Sequence, residues 1–482
     1  MSLRIFLLPV AALALGGCMV GPDYVRPSVD TPGAYKEMEG WKRAEPRDQI
    51  ARGQWWEIFG DPELDALVRR VDISNQNIRI AEANFRQARA IAEQARAGLF
   101  PTVSAGATAF RSKSPSLAND PNFANGAINN FNLVANANWE LDLWGRVRRG
   151  VESGEANWQA SAADLESVRL STQAALVQTY IALRVADAQR RLLEETVAAY
   201  RRSLELNSNR YAAGIAAKVD VVQAEVQLKS AQAQLVDIGV DRAQLEHAIA
   251  ILVGAPPATL SVPPSTLVAV LPAIPVGVPS ELLERRPDIA AAERSMAAAN
   301  AQIGIAQSAF YPTLTLSAAG GYRSASFADW LSAPSQFWSL GAALAQLIFD
   351  GGLRRAVSDQ AIAAYDGQVA QYRQTVLTGF QEVEDNLAAL RLLEEEARFL
   401  DEAVRGARQS LELTTNQYKG GIVSYLNVIV AQTIALSNER TALNVRGRRF
   451  LASVQLVRAV GGGWDARSLE DSRLSGRSPA GD

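Results

Sequence analysis

Residues 131–141 read Phe-Asn-Leu-Val-Ala-Asn-Ala-Asn-Trp-Glu-Leu, and their alternation decides the fold. Phe131, Leu133, Ala135, Ala137, Trp139 and Leu141 are apolar, while Asn132, Asn136, Asn138 and Glu140 between them are polar, with Val134 the exception. Period-two patterning marks a strand with two unlike faces. Its length matches the roughly 9–11 residues that a tilted strand needs to cross a bilayer, with Trp139 near the end where an interfacial aromatic belongs.

Around this stretch the chain reads mostly as helix. Its 482 residues exceed what one compact core usually supports, and 48% hydrophobic with 21% charged residues describes a folded protein of several units or repeats. A formal charge of -3 supplies no positive field for phosphate backbones, so nucleic acid is excluded as a partner. One histidine, His247, and one cysteine, Cys18, leave no metal-ligand cluster, no internal disulfide and no histidine-dependent triad. No acid pair or phosphate loop stands out either, and the chain reads as a non-enzyme without cofactors.

At the N-terminus a basic Arg4 precedes an apolar run from Ile5 to Leu15, too short to span a membrane and suited to an export signal. Leu15-Gly16-Gly17-Cys18 follows, in a pattern that resembles a bacterial lipoprotein signal, so residues 1–17 are expected to be removed and Cys18 acylated, with palmitate among its chains. Each buried methylene adds about 0.8 kcal/mol of membrane affinity, and several chains anchor stably. Residues 18–60, rich in Pro, Gly and aromatics, form an extended arm that Trp55, Trp56 and Phe59 pin to the body.

Residues 61–254 form one unit: a helix over about 63–97 opened by Asp61-Pro62-Glu63, strands at about 102–110 and 131–141, and helices at about 146–212 and 216–252. Residues 280–463 repeat it, with helices at about 280–309, 352–419 and 422–460 and strands at about 313–322 and 338–347. Phe100-Pro101-Thr102 returns as Tyr311-Pro312-Thr313, Gly145-Arg146-Val147-Arg148-Arg149 as Gly351-Gly352-Leu353-Arg354-Arg355, and Leu204-Glu205-Leu206 as Leu411-Glu412-Leu413. These offsets stay near 207 residues, so one long unit is duplicated. Residues 255–279 carry seven prolines, a semi-rigid crossover, and 464–482 form a loose polar tail.

Four membrane-length strands cannot close a barrel, because single-chain barrels start at about eight and lipid tolerates no open edge. The chain must oligomerise, and three copies supply about twelve strands around a lumen. A helix over 148–212 would run roughly 100 Å at about 1.5 Å per residue. Val376, Phe380, Val383, Leu387 and Leu390 keep the 4-3-4-3 spacing of a coiled-coil seam, and Leu170, Ala174, Val177 and Ile181 another.

The chain resembles the TolC-like outer-membrane factor family, in the lipoprotein branch that serves resistance-nodulation-division efflux pumps. The resemblance spans nearly all of the mature chain and rests on four motifs. They are Cys18 with Val20-Gly21-Pro22-Asp23-Tyr24, Trp55-Trp56-Glu57-Ile58-Phe59-Gly60-Asp61-Pro62, Arg285-Arg286-Pro287-Asp288-Ile289 and Gly421-Ile422-Val423-Ser424-Tyr425-Leu426-Asn427. It implies a mainly α homotrimer with a twelve-stranded transmembrane β-barrel in the outer membrane and a periplasmic α-helical barrel closed at its tip. It further implies passive conduction of drugs or other small solutes, with a periplasmic adaptor and an inner-membrane pump as partners.

Distance along the chain makes the breaks at Gly214 and at Gly420-Gly421 candidates for the closed tip and for adaptor docking. Glycine there allows the left-handed conformation of a tight turn. Asp220, and Asn427 at its equivalent position, are gate candidates: three inward copies of Asp220 would make a cation-favouring ring, whereas a helix-surface aspartate would simply be solvated. Where relatives carry a second acidic ring this chain has Val430. Ile422 and Leu426, four apart, form an apolar constriction or pack; Arg210, Tyr211 and Tyr418 match positions where the family ties its inner helices shut. The alternative reading is a lipid-anchored periplasmic coiled-coil adaptor or scaffold, which has no use for two pairs of alternating strands. Few soft ligands favour organic solutes over copper or silver as cargo.

Overall fold

The computed structural model describes residues 19–37, 54–113, 127–265 and 285–464. The signal segment with Cys18, part of the arm, part of the crossover and the tail lie outside the described residues. The described chain is mainly helical. It runs α1 (Pro62–Ser74), α2 (Gln76–Ala97), β1 (Thr102–Ser112), β2 (Ile128–Leu141), α3 (Arg146–Ala212), α4 (Lys218–Leu252), α5 (Pro287–Ser308), β3 (Thr313–Ser324), β4 (Gln336–Ala345), α6 (Leu353–Lys419) and α7 (Tyr425–Ala459). Two compact units divide it: Met1–Ser28, Phe85–Ser161 and Ala292–Tyr372 make one, and Val29–Asn84, Ala162–Ala291 and Arg373–Asp482 the other.

In the first unit the strands form an antiparallel sheet of order β1-β2-β3-β4. Register gathers the apolar positions on one face: Val103 pairs with Ala137, Ala137 with Ala318, Ala318 with Leu340, Trp139 with Leu316 and Leu133 with Tyr322. Asn132, Asn136 and Asn138 fall on the opposite face. The apolar face is open, with Val103 at 73% and both Trp338 and Leu340 at 77% exposure. Aromatics cluster at both ends of the strands. Trp144 stacks on Tyr311 with centroids 4.8 Å apart, and Phe131 meets Phe327 at 5.5 Å and Trp330 at 5.8 Å. β1, β2 and β3 overrun the sequence reading because pairing extends them, β1 and β2 as far as the Ser112–Ile128 pair and β3 to Ser324, whereas β4, read over 338–347, is shifted, starting at Gln336 and ending at Ala345 opposite Thr313.

In the second unit the seam residues are buried, with Val376, Val383 and Leu387 fully so, except Leu170, which is half-buried. The helix read over 63–97 is two. Asn75, 3% exposed, ends α1 and caps α2: its Oδ1 accepts from the amides of Asn77 at 2.9 Å and Ile78 at 3.2 Å, and its Nδ2 donates to Leu252 O at 2.7 Å. Asp61 caps α1 by accepting from Glu63 and Leu64 amides, with Pro62 in the first turn. Trp55, Trp56 and Phe59 are buried, and the Trp55 indole donates to Gln173 at 3.2 Å. The Arg-Arg-Pro-Asp motif is a clamp. Buried Arg286 donates to Asp288 and, at 2.6 Å, to Glu382, which also receives Arg458, so the start of α5 is tied to α6 and α7. Of the helix read from 280, residues 280–284 lie outside the described residues, and α5 runs Pro287–Ser308 with Pro287, which has no amide to orphan, in its first turn. The helix read from 422 starts at Tyr425, after extended Ser424.

Candidate gate at the helix turns

Both candidate turns lie in the second unit and close by one device. After α3, Gly214 takes φ +75, its amide donates to Tyr211 O at 2.9 Å, and the Ile215 amide donates to Arg210 O at 2.8 Å. After α6, Gly421 takes φ +75, its amide donates to Tyr418 O at 3.0 Å, and the Ile422 amide donates to Gln417 O at 2.9 Å. An L-residue at these φ values is strained, which is why both helices stop at glycine. Gly420, by contrast, keeps an amide bond to Asn416 O at 3.0 Å and sits before the left-handed residue.

The two turns are joined through Tyr418. Its hydroxyl donates to Asn207 Oδ1 of α3, and Asn207 is fully buried with its Nδ2 on Ser203 O at 2.8 Å. The Arg210 guanidinium lies 5.0 Å from the Tyr418 ring centroid, within cation–π range, and donates to Lys419 O at 3.2 Å. The Tyr418 ring packs at 5.3 Å on Tyr425, in a cluster with Ala224 and Val428. Burial raises the Tyr418 phenol, and Asp220 reinforces the shift by charge, against Arg210. Burial likewise pushes Tyr425 up to about 12. Asp220 is half-buried in the first turn of α4, close enough for its charge to reach both phenols.

The structure thus brings together Arg210, Tyr418 and Asp220, and leaves Tyr211 apart. The Tyr211 ring is half exposed and takes the Lys218 ammonium at 5.4 Å instead. Asn427 is exposed and donates to the Ser424 hydroxyl at 3.2 Å. Ile422 at 75% and Leu426 at 56% are exposed, and Val430 at 52% and Ile434 at 49% continue their stripe along α7. Asn207 and Tyr425 escaped the sequence reading. A signal existed: Tyr200, Leu204, Asn207 and Tyr211 keep 4-3-4 spacing, so Asn207 is a polar residue set in an apolar seam, a device that fixes register.

Among the described residues, no group of three or more His, Cys, Asp or Glu could hold a metal, and no helix is long and apolar enough to cross a membrane. One buried hydrogen bond and one stacked cation link α3 to α6 beside their turns.

Comparison with known proteins follows the same lines. Residues 67–255 and 278–462 match the family described as outer membrane efflux protein. The chain is 30% identical over 467 residues to the probable efflux pump outer membrane protein TtgC of Pseudomonas putida, covering 96% of each. To outer membrane protein OprJ of Pseudomonas aeruginosa it is 32% identical over 470 residues, 97% of each. The solved outer-membrane channel OprN superposes with a TM-score of 0.86 at 30% identity, over 93% of this chain and 100% of that one. With the alternating sheet, the paired long helices and these matches in hand, the chain belongs to the outer membrane efflux protein family.

Proposed function

We propose that three copies of this chain close one twelve-stranded barrel and form the exit duct of a tripartite efflux pump, anchored also by lipid on Cys18. The observation that carries the reading is the sheet. It offers an open apolar face to lipid and stops at β1 and β4, whose outer edges have no partner strand within the described chain. Lipid tolerates neither edge, and neighbouring copies supply both partners. Solute would pass from an inner-membrane pump through a periplasmic adaptor, the adaptor docking at the Gly214 and Gly420-Gly421 turns and releasing the Tyr418 latch. Asp220 would ring the closed aperture, with Ile422 and Leu426 as an apolar collar in place of a second acidic ring.

Organic solutes are the cargo we assign. Relatives are named for toluene efflux and for pyoverdine export, and this chain has four Met, one His and one Cys with which to handle soft metals. The test is single-channel recording of the purified protein in planar bilayers, paired with gel migration before and after boiling. Discrete conductance steps and a heat-dissociable trimer are expected. A monomer by light scattering that never conducts would overturn the trimeric duct.

A further inference from the structure

The first unit holds a buried arginine whose partners include main-chain carbonyls of the arm. Arg149, in the first turns of α3, is 2% exposed. Its Nε donates to Val20 O at 3.3 Å; its Nη2 donates to Gly21 O at 3.1 Å and to Asp23 Oδ1 at 2.8 Å; its Nη1 donates to Glu152 at 2.7 Å. Other groups hold the same segment. The Val20 amide donates to Trp144 O at 3.0 Å, and buried Asn300 of α5 donates its Nδ2 to Pro22 O at 2.9 Å.

Two glycines make the room. Gly21 has φ +94, and a Cβ there would sit 2.4 Å from Gly304 Cα. A Cβ on Gly304 would meet Arg149 Cγ, Arg149 Nε and Val20 O, each at 2.9 Å. Gly145 is cut back likewise, since its Cβ would lie 2.8 Å from Met19 Cγ. The arm, the guanidinium and α5 therefore share one close-packed point, which holds the arm chiefly by its backbone.

Sequence symmetry isolates this role. Arg148 and its counterpart Arg354 do equal work, donating to Asp142 at 3.2 Å and Asp350 at 2.6 Å. Arg149 corresponds to Arg355, which is exposed. One copy of a duplicated arginine has been drawn inside, in the half of the chain that begins with an arm.

We propose that Arg149, Asn300 and Gly304 form a binding site for the chain's own mature N-terminus, the peptide Met19–Asp23, and so fix where an acylated residue 18 leaves the protein. The last clause rests on the reading of Cys18 as lipidated; the binding site does not. Consecutive Cα atoms lie about 3.8 Å apart, so a clamp on Val20 and Gly21 holds the anchor point beside Trp144, at the foot of β2. The clamp then sets the depth of the lipid anchor relative to the sheet.

The test uses the full chain in outer-membrane vesicles with a spin label at Val25→Cys, a position 77% exposed. The label is read in the native and Cys18→Ser backgrounds. An immobilised spectrum is expected in both. Arg149→Leu should give a severalfold drop in rotational correlation time, and Arg149→Lys, which keeps the charge without the fork, an intermediate one. Gly21→Ala should free the arm with Arg149 intact, which covers the case in which Arg149→Leu fails to fold. A label that stays immobilised in folded Arg149→Leu or Gly21→Ala overturns the clamp. The mass of the N-terminal peptide reports separately: lack of acyl mass overturns the lipid reading and leaves the binding site standing.

Discussion

Tyr418→Phe isolates the latch, because it removes one hydroxyl and keeps the ring. The packing on Tyr425 at 5.3 Å and the Arg210 stack at 5.0 Å survive the change. What is lost is the partner of Asn207 Oδ1, at a residue with no exposure. Leaving a buried acceptor unpaired costs about 1–3 kcal/mol. If that bond is made in the closed tip and broken in the open one, the whole cost falls on the closed state, and the open fraction rises roughly 5–150-fold. The assay is open probability in planar bilayers, with a thermal melt on the same sample. A double variant, Tyr418→Phe with Asn207→Leu, removes both polar partners and should leak less than the single one, since no orphaned acceptor remains. A lowered melting temperature with unchanged open probability would refute the gating role and leave Tyr418 as a packing residue. No change in either would refute the hydrogen bond's contribution altogether.

Three further outcomes follow from the same region. Asp220→Ala should raise ion leak and reduce cation preference in bilayers; unchanged conductance and preference would sink the acidic ring. Gly421→Ala, forced to φ +75, should cost about 1–2 kcal/mol, while Gly406→Ala in mid-helix, where a Cβ meets nothing within 4 Å, should stabilise by about 1 kcal/mol; opposite shifts in melting temperature check the pair. Alkali should loosen the tip. The Tyr425 phenol is raised by burial from 10.0 to about 12, so its contribution is complete below about pH 10 and is lost as pH climbs toward 12, on the order of 3 kcal/mol in all. Phenolate absorbance tracked against unfolding measures it, and a late-ionising tyrosine that disappears in Tyr425→Phe confirms the assignment.

What the sequence discloses is what repeats along it. Alternation in 131–141 and 313–322 declares which side chains share a face, and the register bears that out pair by pair, from Val103 opposite Ala137 to Ala318 opposite Leu340. Alternation does not say which strand lies beside which. That β2 of one half pairs with β3 of the other is a tertiary fact, set by where the helices deliver the strands. Helix ends were legible where glycine writes them, at Gly214 and Gly421, and illegible where a side chain does. Asn75 breaks the first helix by turning its amide onto two backbone groups, a local competition that an apolar periodicity cannot report.

The run Gly145-Arg146-Val147-Arg148-Arg149 shows the limit most clearly. In sequence its three arginines are equivalent landmarks of a repeat. In the folded chain Arg146 pairs with Glu140 at 2.7 Å in the open, Arg148 steadies Asp142, and Arg149 goes inside to grip the arm. Burying a guanidinium is tolerable only when carbonyls and carboxylates replace the lost water, and here Glu152 is the local acceptor while Val20, Gly21 and Asp23 come from more than a hundred positions away. Among the described residues the second copy meets no such acceptors, and Arg355 is exposed. The recurring run supplies the same side chain twice; what each copy does is decided by what the rest of the chain brings to it. The same reasoning covers Asp220 and Asn427, where one half keeps a charge beside two buried phenols and the other carries an amide exposed at the start of α7. The two hairpins therefore differ at their turns, with Asp220 at the first and Asn427 beside exposed Ile422 and Leu426 at the second.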